Sequence, residues 1–150
     1  MTIRDYLTRE ARRISDRALS EYTDADAWRR LIPERRRQYG EMMGLESFPP
    51  LDQRPPLNVT VTGVVERPGY RIEKLYYESL PKLYVTANLY VPTNRITPAP
   101  GVLYVCGHST TQKVHYQAHP RRFAQLGFIC LIVETVQLGE VRGHHHGCYR

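Results

Sequence analysis

The stretch Gly101 to Lys113, GVLYVCGHSTTQK, constrains the fold more than any other. Gly101 to Cys106 is short and almost wholly apolar, Gly107 breaks the run, and a polar loop follows. A helix candidate and a second apolar run, Phe128 to Val133, come next. A buried strand, a glycine turn, a helix and another buried strand, in that order, predict a parallel βαβ unit. The physical reason is that a strand apolar on both faces must be covered on both. On that reasoning Phe128 to Val133 is expected to have a parallel neighbour on each side. In open sheets of this kind, ligands and chemistry sit just past the carboxyl ends of the strands. Cys106, Gly107, His108 and Ser109 lie at such an end.

Upstream, the pattern changes period twice. Thr2 to Leu19 predicts an amphipathic helix, because Ile3, Leu7, Ala11, Ile14 and Ala18 recur at three- and four-residue spacing. Thr23-Asp24 is placed to cap a second helix with Ala27, Trp28, Leu31, Tyr39 and Met42 on its apolar side. Pro33 is expected to kink or split that helix, and Gly44 to end it. The proline-rich FPPLDQRPP, Phe48 to Pro56, reads as an extended linker. The expected organisation is therefore a helical region over 1–47, a linker over 48–56, and an α/β region over 57–150. The α/β region begins with period-two strands: one around Val59 to Val65 with Gly63 as a bulge, one over Arg71 to Glu78, and one over Leu83 to Val91. Arg67-Pro68-Gly69 and Ser79 to Lys82 are the turns between them. Val114 to Leu126 predicts a helix stopped by Gly127, with Pro120 near its regular start.

Composition narrows the class of function. At 150 residues with 41% hydrophobic and 24% charged content, the chain has the balance of an ordinary globular protein. The net charge of +6 comes mainly from arginine, with ten arginines between Arg4 and Arg37. Asp5, Glu10, Asp16, Glu21, Asp24, Asp26 and Glu34 are interspersed, which is the pattern of solvated helix faces with i,i+4 pairs and not of a nucleic-acid surface. No nucleic-acid partner is expected. No run has the length of a membrane span, and Met1 to Arg17 alternates charge with apolar residues, so no membrane partner and a cytoplasmic location are expected. Three cysteines, an odd number, do not make a disulfide framework.

Several residues compete for a chemical role. Ser109 lies in Gly107-His108-Ser109-Thr110-Thr111, which resembles the G-x-S-x-G elbow but lacks its closing glycine. Antiparallel strands come first and Gly101 to Cys106 is the first strand of the parallel part, which is too early for the nucleophile. His115 and His119 have the i,i+4 spacing of zinc ligands, but Tyr116 occupies the place of the general-base Glu. His144 to His146, Cys106 and Cys148 could add ligands, yet no second pair of recognised spacing exists, so no metal and no cofactor are expected. Glu134 closes an apolar strand, where a carboxylate either faces a cleft or orders a loop by accepting backbone hydrogen bonds; the second is the commoner use. The cleft-lining candidates are Gly107, Ser109, Glu134 and His145.

Leu75 to Pro92, then APGVLYVCGHST, then FAQLGFICLIVETVQLGEVRGHHHG, together resemble the N-terminal half of α/β-hydrolase esterases of the acetylxylan esterase-like or dienelactone hydrolase-like branch. Cys106-Gly107 stands where that family has His-Gly, and His108 matches the next position, whose backbone N–H lines the oxyanion hole. The resemblance implies N-terminal helices followed by the first half of an α/β-hydrolase sheet, with an antiparallel start and then the parallel βαβ. It implies a serine esterase for small-molecule or carbohydrate esters, with nucleophile, acid and histidine after Arg150, so that none of the three is assignable within 1–150. The C-terminal half of the same domain is then a required partner. Two other readings stay open: a non-catalytic hydrolase-like interaction domain and a histidine-rich metal-binding module.

Overall fold

The computed structural model describes residues 2–143 and divides the chain into two compact units, 1–53 and 54–150. His144 to His146 and Cys148 lie outside the described residues. No helix among the described residues is long and apolar enough to cross a membrane.

The first unit is two helices. Helix α1 spans Ile3–Ser15 and starts in a capping box: Thr2 Oγ1 accepts from Asp5 N at 3.2 Å and Asp5 Oδ2 accepts from Thr2 N at 2.8 Å. It ends four residues before the predicted Leu19. The chain tightens there into i→i+3 turns, and Ser20 Oγ donates back to Arg17 O, a bond that competes with the helical ladder. The expected apolar stripe is not buried: Ile3, Leu7 and Ile14 are all exposed. Helix α2 spans Ala25–Met42, capped by Asp24 Oδ1 accepting from Ala27 N at 2.7 Å. Pro33 does not split it. Proline removes one donor from the ladder, but Arg37 bonds both Glu34 and Glu41 on the turns that follow, and Arg29 bonds Asp26 on the turn before. Gly44, at φ +66°, ends the helix in the left-handed conformation that glycine tolerates best. One 3-10 turn, Leu45–Ser47, precedes the predicted linker, and a second, Leu51–Gln53, interrupts its extended course.

The second unit is a five-stranded mixed sheet with strand order β1-β2-β3-β5-β4. Strands β1 (Thr60–Arg67), β2 (Tyr70–Leu80) and β3 (Leu83–Pro92) form an antiparallel meander. The register shifts between Val61 and Gly63, the bulge predicted at Gly63. Pro68-Gly69 and Pro81-Lys82 make the two-residue turns, and Lys82 takes the positive φ of +65° usually left to glycine. Strand β4 (Gly101–Val105) and strand β5 (Ile129–Val133) are parallel, joined by helices α3 (Gln112–His115) and α4 (Ala118–Gln125). The predicted single helix over Val114 to Leu126 is thus two short ones. Pro120 enters near the start of α4, where its missing N–H has no intrahelical partner to lose.

Strand β5 corrects one expectation. It is parallel to β4 but antiparallel to β3, pairing Leu89 with Leu131 and Tyr90 with Cys130. Its edges are both used, and among the described residues the sheet's open edges are those of β1 and β4. The core on one face holds Tyr70, Tyr90, Ala124, Cys130 and Ile132, with Phe123, Tyr104 and Tyr116 packed against it. On the opposite face of β4, Leu103 and Val105 remain 65% and 61% exposed.

Candidate active-site loops at the ends of the parallel strands

Two loops leave the carboxyl ends of the parallel pair. One, 106–111, follows β4; the other, 134–143, follows β5. Gly107 and His108 are exposed and Ser109 is half-buried. Tyr116 lies directly behind Gly107: a Cβ at 107 would sit 2.5 Å from the Tyr116 hydroxyl oxygen. A side chain at 107 would have to displace the end of the Tyr116 ring. Ser109 Oγ accepts from Thr111 N at 3.3 Å and lies 3.5 Å from Thr111 Oγ1, so its hydroxyl serves the turn into α3.

The loops are tied to each other by α3. Gln112, 1% exposed, makes two bonds to one residue: its Nε2 donates to Thr135 Oγ1 at 2.8 Å and its Oε1 accepts from Thr135 N at 2.7 Å. Lys113, also buried, reaches Glu134 Oε2 at 3.3 Å and Glu140 Oε1 at 2.8 Å. Glu134 further accepts from Thr86 Oγ1 at 2.6 Å and from Glu140 N at 3.0 Å. Burial alone would raise the Glu134 pKa. The Thr86 hydroxyl, the Glu140 N–H and the Lys113 ammonium outweigh it and hold the carboxylate below its ordinary range. Gly139, at φ +74°, passes so close that a Cβ there would lie 2.3 Å from Glu134 Cδ. Glu134 therefore orders the loop that follows it by accepting a backbone hydrogen bond.

Beside this cluster is a hollow of 320 Å³ whose wall includes Thr62, Lys74, Thr86, Asn88 and Lys113. Asn88 Oδ1 is buried beside it without a hydrogen-bond partner among the described residues. A larger hollow of 510 Å³ runs along α1 between arginines and aspartates, in the other unit, and belongs to a solvated helix face.

The histidine pair does not converge. His115 ends α3 and His119 lies in α4, so the two do not share one helical face. His119 Nδ1 is 3.0 Å from Tyr104 Oη, and the two rings stack at 5.2 Å; His115 stands edge-on to Tyr116. No group of three or more His, Cys, Asp or Glu among the described residues could hold a metal ion. Burial pushes the Cys106 thiol up and the Cys130 thiol up to about 11, away from the thiolate a metal or a nucleophilic role needs. His145 lies outside the described residues. Sequence reasoning missed Gln112, Lys113 and Tyr116. A polar pair before a helix reads as solvated, and their partners Glu134 and Thr135 are more than twenty residues away.

No family model and no curated protein matches the sequence. Solved structures do match. A methylesterase superposes with a TM-score of 0.73 at 18% identity, over 89% of this chain and 30% of its own. A Bacteroides fragilis protein assigned as an acetyl xylan esterase superposes with a TM-score of 0.66 at 21% identity, over 82% of this chain and 34% of its own. The chain spans about a third of the length of these structures. N-terminal helices followed by an antiparallel start and a parallel βαβ are thus the arrangement predicted from the sequence, and the chain has the fold of this part of the acetyl xylan esterase and methylesterase structures.

Proposed function

We propose that this chain is the front part of a serine-type carboxylic ester hydrolase, acting on acyl or acetyl esters that include acetylated carbohydrate. Its contribution is the oxyanion-hole loop. The observation that carries this reading is the position of Gly107 to Ser109 at the carboxyl end of β4, the first parallel strand, in a fold shared with esterases.

In this reading the backbone N–H of His108 donates to the carbonyl oxygen as it gains negative charge in the tetrahedral intermediate. Such a donor lowers the barrier by about 3–4 kcal/mol when its place is fixed beforehand. The nucleophilic serine, the histidine that takes its proton and the acid that orients the histidine come from chain beyond residue 150. That chain adds its strands at the open edge of β4 and covers Leu103 and Val105. Ser109 is not the nucleophile, because its hydroxyl is engaged with Thr111 and its loop lacks the closing glycine of the elbow.

The test is made on the complete open reading frame. A fluorophosphonate probe should label it, and it should turn over p-nitrophenyl acetate. Ser109→Ala should be labelled as the parent is, and residues 1–150 alone should show no turnover above buffer. Loss of labelling in folded Ser109→Ala would move the nucleophile to Ser109. A folded complete protein with neither labelling nor turnover would favour a non-catalytic interaction domain.

A further inference from the structure

We propose that Lys113 is a positioning residue: with Glu134 and Glu140 it clamps the 107–111 loop to the loop after β5 and so sets where the oxyanion donor stands. The inference rests on the esterase reading above and assigns a cause for the loop's geometry.

An ammonium at 7% and a carboxylate at 4% side-chain exposure form a buried ion pair. Burying such a pair costs several kcal/mol per ion before attraction is counted, and an apolar pair of equal volume often stabilises a fold as well or better. An apolar pair, however, has no direction. The Lys113–Glu134 pair ties four segments at fixed angles: Thr86 from β3, Lys113 from α3, Glu134 from the end of β5, and both the N–H and the carboxylate of Glu140 from the following loop. Gln112, one residue earlier, adds a two-bond tie to Thr135. The first two residues of α3 are therefore both locked onto the end of the neighbouring strand. At its other end the loop is fixed by β4, with the Tyr116 hydroxyl close behind Gly107. A segment this short, held at both ends, has little freedom left. An oxyanion donor needs that property, because its effect depends on being in place before charge develops.

The clamp does not touch the substrate in this reading, so losing it should lower kcat more than it raises KM. In the complete protein, Lys113→Met should accelerate amide hydrogen exchange across 107–111 and at Glu140 while the β-sheet amides keep their protection. It should lower kcat by about 10²-fold, the scale of a 1 Å misplacement, with KM within about threefold of the parent on the same reasoning. Lys113→Arg, which keeps the charge and the donors, should recover most of kcat. If Lys113→Met does not fold, the double variant Lys113→Met with Glu134→Gln leaves no unpaired buried charge and is read the same way.

A folded variant with unchanged exchange, or with faster exchange and unchanged kcat, overturns the proposal. So does a rise in KM alone, which would make Lys113 a binding residue. If the parent itself turns over no ester, the esterase reading fails and takes the positioning role with it; faster exchange in the variant would then show that the clamp exists but serves no such reaction.

Discussion

Gly139→Ala tests the packing around Glu134 most directly. The new methyl would lie 2.3 Å from Glu134 Cδ and 2.5 Å from both carboxylate oxygens, where ordinary contact begins at 3.4 Å. About 1 Å must therefore be found, and the hydrogen bonds that fix the Glu134 carboxylate oppose the shift. A displacement of that size takes one of the Glu134 bonds, to Thr86, Lys113 or Glu140 N, out of hydrogen-bond range. Each bond to a charged group contributes about 1.5–3 kcal/mol. Holding alanine at a left-handed backbone adds about 1–2 kcal/mol, so the expected destabilisation is about 3–5 kcal/mol, the lower figure if the loop relaxes. In a Glu134→Ala background the carboxylate is gone and only the backbone cost of about 1–2 kcal/mol should remain. The two substitutions should thus be non-additive by about 2 kcal/mol. Urea unfolding of the four proteins of the cycle, followed by far-ultraviolet circular dichroism, measures this. Destabilisation of Gly139→Ala by less than about 0.5 kcal/mol, or simple additivity, would refute the geometry.

Two further outcomes are expected. The Glu134 carboxylate is held below its ordinary value of 4.5, so its contribution to stability is complete above 4.5 and is lost as pH falls through the lower folded-state value. Urea midpoints taken at neutral pH and at steps below 4.5 should fall more steeply for the parent than for Glu134→Gln, and equal slopes would contradict the assignment. Untagged protein dialysed against chelator should contain no stoichiometric zinc by elemental analysis, because His115 and His119 leave on different helices; one equivalent retained would show a site built in part from residues outside 2–143.

The strands of the second unit were legible because alternation and turn residues are local signals. Leu83 to Val91 alternates cleanly, and Pro68-Gly69 can hardly be anything but a turn. The parallel pair was legible from two apolar runs flanking a glycine loop. What failed was non-local. Nothing in Phe128 to Val133 says that one of its neighbours is the antiparallel β3, since an apolar strand needs neighbours without specifying their direction. Pro33 does not split α2, which runs through it from Ala25 to Met42, because proline takes only one donor from a ladder that the flanking turns continue. The stripe of α1 has helical spacing, but a pair of helices offers it little to pack against, and Ala27 is the buried residue of that unit among those described. The Lys113 clamp was invisible because each half of it is an unremarkable charged residue until the strand ends come together.

The place of β5 between β3 and β4 dictates an order of assembly. The meander β1-β2-β3 can form early, since its hairpins close loops of two residues. Strand β4 emerges next but cannot join the meander directly, because the slot beside β3 belongs to a strand not yet reached. It must wait through α3 and α4 until β5 inserts and hydrogen-bonds on both sides at once. Every described backbone bond that holds β4 in the sheet is thus conditional on β5. The β4 amides bonded to β5 cannot outlast that pairing in exchange, and the two parallel strands with their loops should open and close as one cooperative unit, distinct from the antiparallel three.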